Sequence, residues 1–123
     1  MIKIIVNDIP PSNNKYMGNS NSFRIYGNDK QLWFKHIANN LKEIPPRPYE
    51  KAEVEITYYF KDKRRRDPDN YSGKFLLDPL VRLRVLKDDN FGVIDNLKLR
   101  AGYDKDNPRT EIVVREVITN DNI

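Results

Sequence analysis

The run Lys61-Asp62-Lys63-Arg64-Arg65-Arg66 places five cations in six residues, and Asp67-Pro68-Asp69-Asn70 follows it with two carboxylates one residue apart. Cations hold phosphates and carboxylates hold hard metal ions, so the block suits metal-assisted chemistry on a nucleic-acid backbone. In an extended segment residues i and i+2 face the same way, which aims Asp67 and Asp69 at one ion. Pro68 favours that geometry by keeping Asp67 out of the helical region. Oxygen-only donors select magnesium, with manganese as a substitute, over zinc. A second acidic pair, Asp88-Asp89, follows Lys87 and offers a third ligand if the intervening helix folds back on the sheet. The same residues admit a plainer reading. Asp-Pro-Asp-Asn is a good helix start, with Asp67 as the cap, proline at the first position and an acid over the positive end of the dipole. Asp88-Asp89-Asn90 is likewise a good turn. The two readings compete, because a carboxylate that accepts from backbone amides has fewer lone pairs for a metal.

The elements that must position these residues are legible in outline. Ile2 to Val6 is rich in β-branched residues and predicts a strand, followed by a loop through Pro10-Pro11-Ser12-Asn13-Asn14-Lys15-Tyr16 by its turn chemistry. Phe23 to Tyr26 reads as a small strand. Trp33, Phe34, Ile37 and Leu41 recur at helical spacing, predicting a helix from Asp29, its cap, to about Lys42. Lys51 to Phe60 alternates cleanly, with Ala52, Val54, Ile56, Tyr58 and Phe60 on one side, and is the clearest strand. A second helix is expected from Pro68, kinked or split at Pro79. Phe91 to Ile94, Leu97 to Tyr103 and Arg109 to Ile118 supply the last strands, with a hairpin turn at Asp104 to Pro108. The fold class is α+β: one small domain over residues 1–118, a mixed sheet with two main helices packed on it, and a fraying tail over 119–123.

Bulk properties narrow the class. The 123 residues fit one domain, and 22 Lys and Arg against 18 acids give a net charge of +4, a mild bias toward anionic partners. The absence of cysteine excludes disulfides, thiolate catalysis and Cys-ligated zinc, and the lone His36 cannot build a multi-histidine site. No stretch approaches the ~20 apolar residues of a membrane span, and the first residues lack the apolar core of a secretion signal. A soluble cytoplasmic protein with no membrane partner and no organic cofactor is expected. Trp33, Phe34 and Ile37, or an edge strand, are candidates for a subunit interface, with core the favoured role for the helix residues.

Three blocks in this order resemble the RusA-type Holliday-junction resolvases, small homodimeric endonucleases often encoded by phages and prophages. Pro10-Pro11-Ser12-Asn13-Asn14-Lys15-Tyr16 resembles the family's Pro-Pro-Ser-x-Asn loop. Asp62 through Asn70 resembles its basic run followed by Asp-x-Asp-Asn. Lys74-Phe75-Leu76-Leu77-Asp78-Pro79-Leu80 and Leu86-Lys87-Asp88-Asp89 resemble its Lys-x-x-x-Asp-x-Leu helix and the Asp-Asp after it. The resemblance implies that Asp67, Asp69 and Asp89 bind metal, with Asp88 as helper or substitute, and that Lys74 stabilises charge on the scissile phosphate or helps set up the attacking water. It assigns Lys61, Lys63, Arg64, Arg65 and Arg66 to the DNA backbone and Asn13, Asn14 and Lys15 to the substrate rim. It also implies a homodimer, since a four-way junction is two-fold symmetric and is nicked on two opposed strands. One departure is visible: the family's lysine comes four residues after the second aspartate, where Gly73 stands, and Lys74 is one later. One helical position is about 100° of rotation, and an extra residue at Tyr71-Ser72-Gly73 would account for it. The shift leaves open a protein that binds branched DNA without cutting it, or a nuclease with a different DNA or RNA target.

Overall fold

A computed structural model describes residues 1–18 and 21–118; the expected tail at 119–123 lies outside them. The chain runs β1 (Ile2–Val6), a 3₁₀ turn (Asn13–Tyr16), α1 (Ser22–Asn40), β2 (Ala52–Phe60), a second 3₁₀ turn (Pro68–Asn70), α2 (Lys74–Arg82), β3 (Ile94–Tyr103) and β4 (Arg109–Glu116). The four strands form one mixed sheet in the order β1-β4-β2-β3, so the α+β class with two helices is what the chain adopts. β4 is antiparallel to both β1 and β2, whereas β3 runs parallel to β2 with Ala52 beside Ile94 and Phe60 beside Tyr103.

The alternation in β2 decides which face is covered. Ala52, Val54, Ile56, Tyr58 and Phe60 are all buried, and the register sets Ile56 beside Ile112 and Val54 beside Val114, with Ile4 on the far side of Ile112. Trp33 and Ile37 of α1 and Leu76 and Leu80 of α2 close over this face and are fully buried, each worth about 1.5–3 kcal/mol of hydrophobic stabilisation. Trp33 and Ile37 are therefore core. Phe34 is half-buried, with the Arg82 guanidinium 4.1 Å above its ring.

Four local expectations are corrected. Phe23 to Tyr26 is no strand but the first turn of α1, because Tyr26 packs with Tyr16 and Phe75 at ring separations of 5.2 and 5.4 Å. Asp29 consequently sits inside α1 rather than capping it. Phe91 to Val93 form a turn, and the strand starts at Ile94. Asp104 to Pro108 make no hairpin, since β2 lies between β3 and β4; the segment passes over the end of β2, where the Asp104 amide donates to the Phe60 carbonyl at 2.8 Å. Arg109 clamps that crossing through Asp104 and Glu111 at 2.8 and 2.6 Å.

The helix expected from Pro68 is interrupted at Tyr71 to Gly73 rather than at Pro79, which lies buried within a continuous α2. Gly73 makes the interruption. Its φ is +86°, and a Cβ there would fall 2.8 Å from the Ile56 Cδ1, so the site demands both the left-handed region and close approach to the sheet. Gly73→Ala is expected to destabilise the fold by about 3 kcal/mol, combining the left-handed penalty with overpacking. Urea denaturation would register this as a lower midpoint at unchanged m-value; an unmoved midpoint would refute the reading of Gly73.

Candidate active site

The basic run leaves the carboxyl end of β2 and curls around one of its own members. The Arg66 guanidinium lies 4.1 Å from the Phe60 ring centroid and donates to the Asp62 carboxylate at 2.8 Å, the Asp62 carbonyl at 3.0 Å and the Arg64 carbonyl at 3.1 Å. Arg66 is only 16% exposed and is the cation of the five most firmly tied into the protein; Arg64 meets Asp62 at a longer 3.6 Å. The others face outward: Arg65 is 89% exposed, Lys61 and Arg64 are exposed, and the Lys63 ammonium stands 5.4 Å from the Tyr103 ring centroid. Hydrogen bonds from Arg66 first, then from the Arg64 amide, hold the Asp62 carboxyl below its ordinary range.

Asp67 is extended (φ −106°, ψ 140°), as a residue before proline should be, and its side chain makes no capping bond. Among the described residues its carboxylate is met only by Arg65 Nε, at a long 3.4 Å. The Asp69 carboxylate takes no hydrogen bond or ion pair from any described residue. The cap reading, which competes with a metal for those lone pairs, is thus not the one the side chains adopt. The turn is nonetheless fixed. Asn13 Nδ2 donates to the Asp69 carbonyl at 2.9 Å and to Ser72 Oγ at 3.2 Å, pinning the second 3₁₀ turn to the first. Ser12 caps that first turn by accepting from the Asn14 amide, and the Asn14 side chain stays exposed.

Lys15 points toward α1, its ammonium 2.8 Å from Asp29, which also accepts from the Tyr16 hydroxyl at 2.8 Å. Burial opposes ionisation of Asp29, but these two donors win and hold its carboxyl low. Burial, then the bond to Asp29, pushes the Tyr16 hydroxyl pKa up. Lys74 opens α2 and borders a small cleft with Asn13, Asn70 and Ser72. Its ammonium lies 4.7 Å from the Tyr26 ring centroid. Sequence reasoning did not place Tyr26 and Asp29 beside this site, because it began the helix too late to include Tyr26 and used Asp29 as a cap.

The second acidic pair divides by role. Asp88 accepts from the Asp89 amide at 2.7 Å and from Asn90 Nδ2 at 3.1 Å, the work of a turn former. The Asp89 carboxylate is exposed and takes no partner among the described residues. The pair does not come beside Asp67 and Asp69 within the chain. Asp67 lines a hollow with Leu99 and Ala101, whereas Asp88 lines one with Glu50 and Val93, about 20 Å apart along the strand at ~3.3 Å per residue. Helix α2 does fold back on the sheet, but a parallel β3 has to begin beside the start of β2, and that carries Asp88 and Asp89 to the opposite end. No three metal-ligating side chains gather among the described residues.

The Arg66–Asp62 staple gives the basic loop a pH dependence. A carboxyl with a depressed folded-state pKa stabilises above its unfolded value, 3.8, and loses that contribution as pH falls through the folded value. The Arg64 amide, which donates to Asp62 at 3.1 Å, should keep its hydrogen-exchange protection from neutrality down to about pH 4 and lose it below. Asp62→Asn should lower that protection at neutral pH and flatten its pH dependence; an identical profile in the variant would contradict the staple.

A family model described as Endodeoxyribonuclease RusA matches residues 8–115. No curated protein matches the chain. The matched span takes in the Asn13 turn, the basic run, Asp67, Asp69, Lys74 and both members of the second acidic pair. With most of its length inside that match, the chain belongs to the RusA family of endodeoxyribonucleases.

Proposed function

We propose that the chain is a magnesium-dependent endonuclease that resolves four-way DNA junctions by paired symmetric nicks and works as a homodimer in the cytoplasm. One observation carries this reading: Asp67 and Asp69 stand on a turn pinned from behind by Asn13, with carboxylates that the fold leaves almost unused. Magnesium keeps several waters and takes one or two carboxylates plus substrate phosphate oxygens, so this all-oxygen pair fits it, and manganese as a substitute. When bound, such an ion supplies charge at the phosphodiester and makes water more acidic.

The protein's own groups supply the rest. Lys61, Lys63, Arg64 and Arg65 face outward to hold backbone phosphates, and Arg66 fixes the loop that presents them. Asn13 sets the angle of the acidic turn, with Asn14 and Lys15 on the substrate rim. Lys74, on the cleft it borders with Asn13, Asn70 and Ser72, neutralises charge developing on the scissile phosphate by swinging off Tyr26. Asp89 is the third carboxylate, with Asp88 shaping the turn that presents it. Because it sits at the far end of β2, we assign it to the Asp67–Asp69 pair of a two-fold related copy, so that the dimer answers both the junction's symmetry and the incomplete site. The edge strand β3, with Leu97 37% and Tyr103 48% exposed, is the favoured contact surface. No helix among the described residues is long and apolar enough to cross a membrane.

The Lys74 ammonium over Tyr26 favours a second reading, a protein that binds junctions without cutting. Asp69→Asn separates the two. Junction affinity should be kept or improve, since repulsion of phosphate falls, while cleavage in magnesium drops to background. Normal cleavage by the variant would remove Asp69 from the site, and an unmodified protein that binds yet never nicks in magnesium or manganese would establish the second reading.

A further inference from the structure

The end of α2 carries a residue that its backbone does not favour. The Val85 amide donates to the Leu80 carbonyl at 2.9 Å and the Arg84 amide to the Val81 carbonyl at 3.0 Å, the paired bonds of a Schellman cap. The position that closes such a cap is left-handed and usually glycine. Here it is Arg84, with φ +67°, the one non-glycine residue with positive φ among those described. Its side chain is exposed and meets no described partner.

Arg84 lines an open hollow of about 680 Å³ together with Arg47, Lys51, Lys87, Glu50 and Glu116. Lys87 is 3.6 Å from Glu50 and Lys51 3.9 Å from Asp95, whereas Arg47, like Arg84, has no ion pair among the described residues. Two unpaired guanidiniums lining one concave surface offer donors to phosphate oxygens, and they outnumber its one carboxylate without an ion pair among the described residues, Glu116. The hollow shares Glu50 and Lys87 with the one that holds Asp88, so it continues the surface on which Asp89 stands. Arg84 keeps an unfavoured backbone conformation at that point, which is the pattern expected where charge placement outweighs local stability.

We propose that Arg47 and Arg84 form a second phosphate-binding site, separate from the basic run, that holds the backbone of a DNA arm as it passes Asp89. This rests on the reading of the chain as a junction-binding nuclease. The test measures fluorescence anisotropy of a labelled four-way junction with the full chain in 50 to 200 mM KCl without divalent metal. The Arg47→Ala/Arg84→Gly double variant should bind about tenfold more weakly at 100 mM salt, and its log K against log salt slope should fall by about 1.8, two phosphate contacts at ~0.9 each. Arg84→Gly alone should weaken binding while its Tm rises, because glycine suits the cap; a lost contact combined with a more stable fold is not what unfolding produces. Unchanged affinity and slope in the double variant, a lower Tm for Arg84→Gly, or an equal loss on removing one exposed cation of α1 by Lys35→Ala would each overturn the site. Failure of the unmodified protein to bind the junction would overturn the functional reading along with it.

Discussion

The parallel pairing of β2 with β3 governs the arrangement of everything chemical in this molecule. Parallel neighbours cannot be joined by a tight turn, so the chain that leaves Phe60 must return along the sheet before Ile94 can take its place beside Ala52. The outward end of that detour is the basic run and the Asp67–Asp69 turn, at the carboxyl end of the strand. The return is α2, whose Leu76 and Leu80 seal the core. The re-entry is Asp88 and Asp89. One topological requirement therefore presents two acidic groups at opposite ends of a single sheet, and a two-fold assembly is a direct way to bring one of each kind together.

Within that frame the polar groups separate into those that hold loops and those left open. Arg66 is held by Asp62 and Phe60, Asn13 by the Asp69 carbonyl and Ser72, Lys15 by Asp29, and Asp88 by its own turn. Arg66, Asn13 and Asp88 each fix a loop that carries a group with few or no internal contacts: Arg65, Asp69 and Asp89 respectively. Preorganised loops bearing uncompensated charge suit a ligand that is itself highly charged, because little ordering is left to be done on binding. The free guanidiniums of Arg47 and Arg84 extend the same division to the opposite end of the sheet.

Much of this was legible in the sequence, for identifiable reasons. The alternation over Ala52 to Phe60 showed a strand with one covered face, and the helical spacing of Trp33 and Ile37 showed a core-facing helix. The position of the Asp67–Asp69 turn followed from Pro68, and the extra residue before Lys74 from Gly73, which absorbs it at φ +86°. What was hidden depended on contacts distant in sequence. The start of α1 is set by Tyr26 packing on Phe75, which overrides the strand-like look of Phe23 to Tyr26. The supposed hairpin at Asp104 to Pro108 failed because β2 inserts between the strands it joins, an ordering that turn chemistry cannot reveal. The separation of the acidic pairs was likewise hidden, since strand direction, rather than any local signal, sets it. Local turn chemistry does not separate Asp88 from Asp89, since two adjacent aspartates differ only in which one the turn captures; the family resemblance alone gave them different roles.

The most direct measurement is cleavage of a synthetic four-way junction with each strand end-labelled in turn, in magnesium and in EDTA. Paired nicks at symmetric positions on two opposed strands, present with magnesium and absent with EDTA, are the result expected here. Nicks that persist in EDTA, or a junction that is bound yet left intact in both magnesium and manganese, would contradict a metal-dependent junction resolvase built on Asp67 and Asp69.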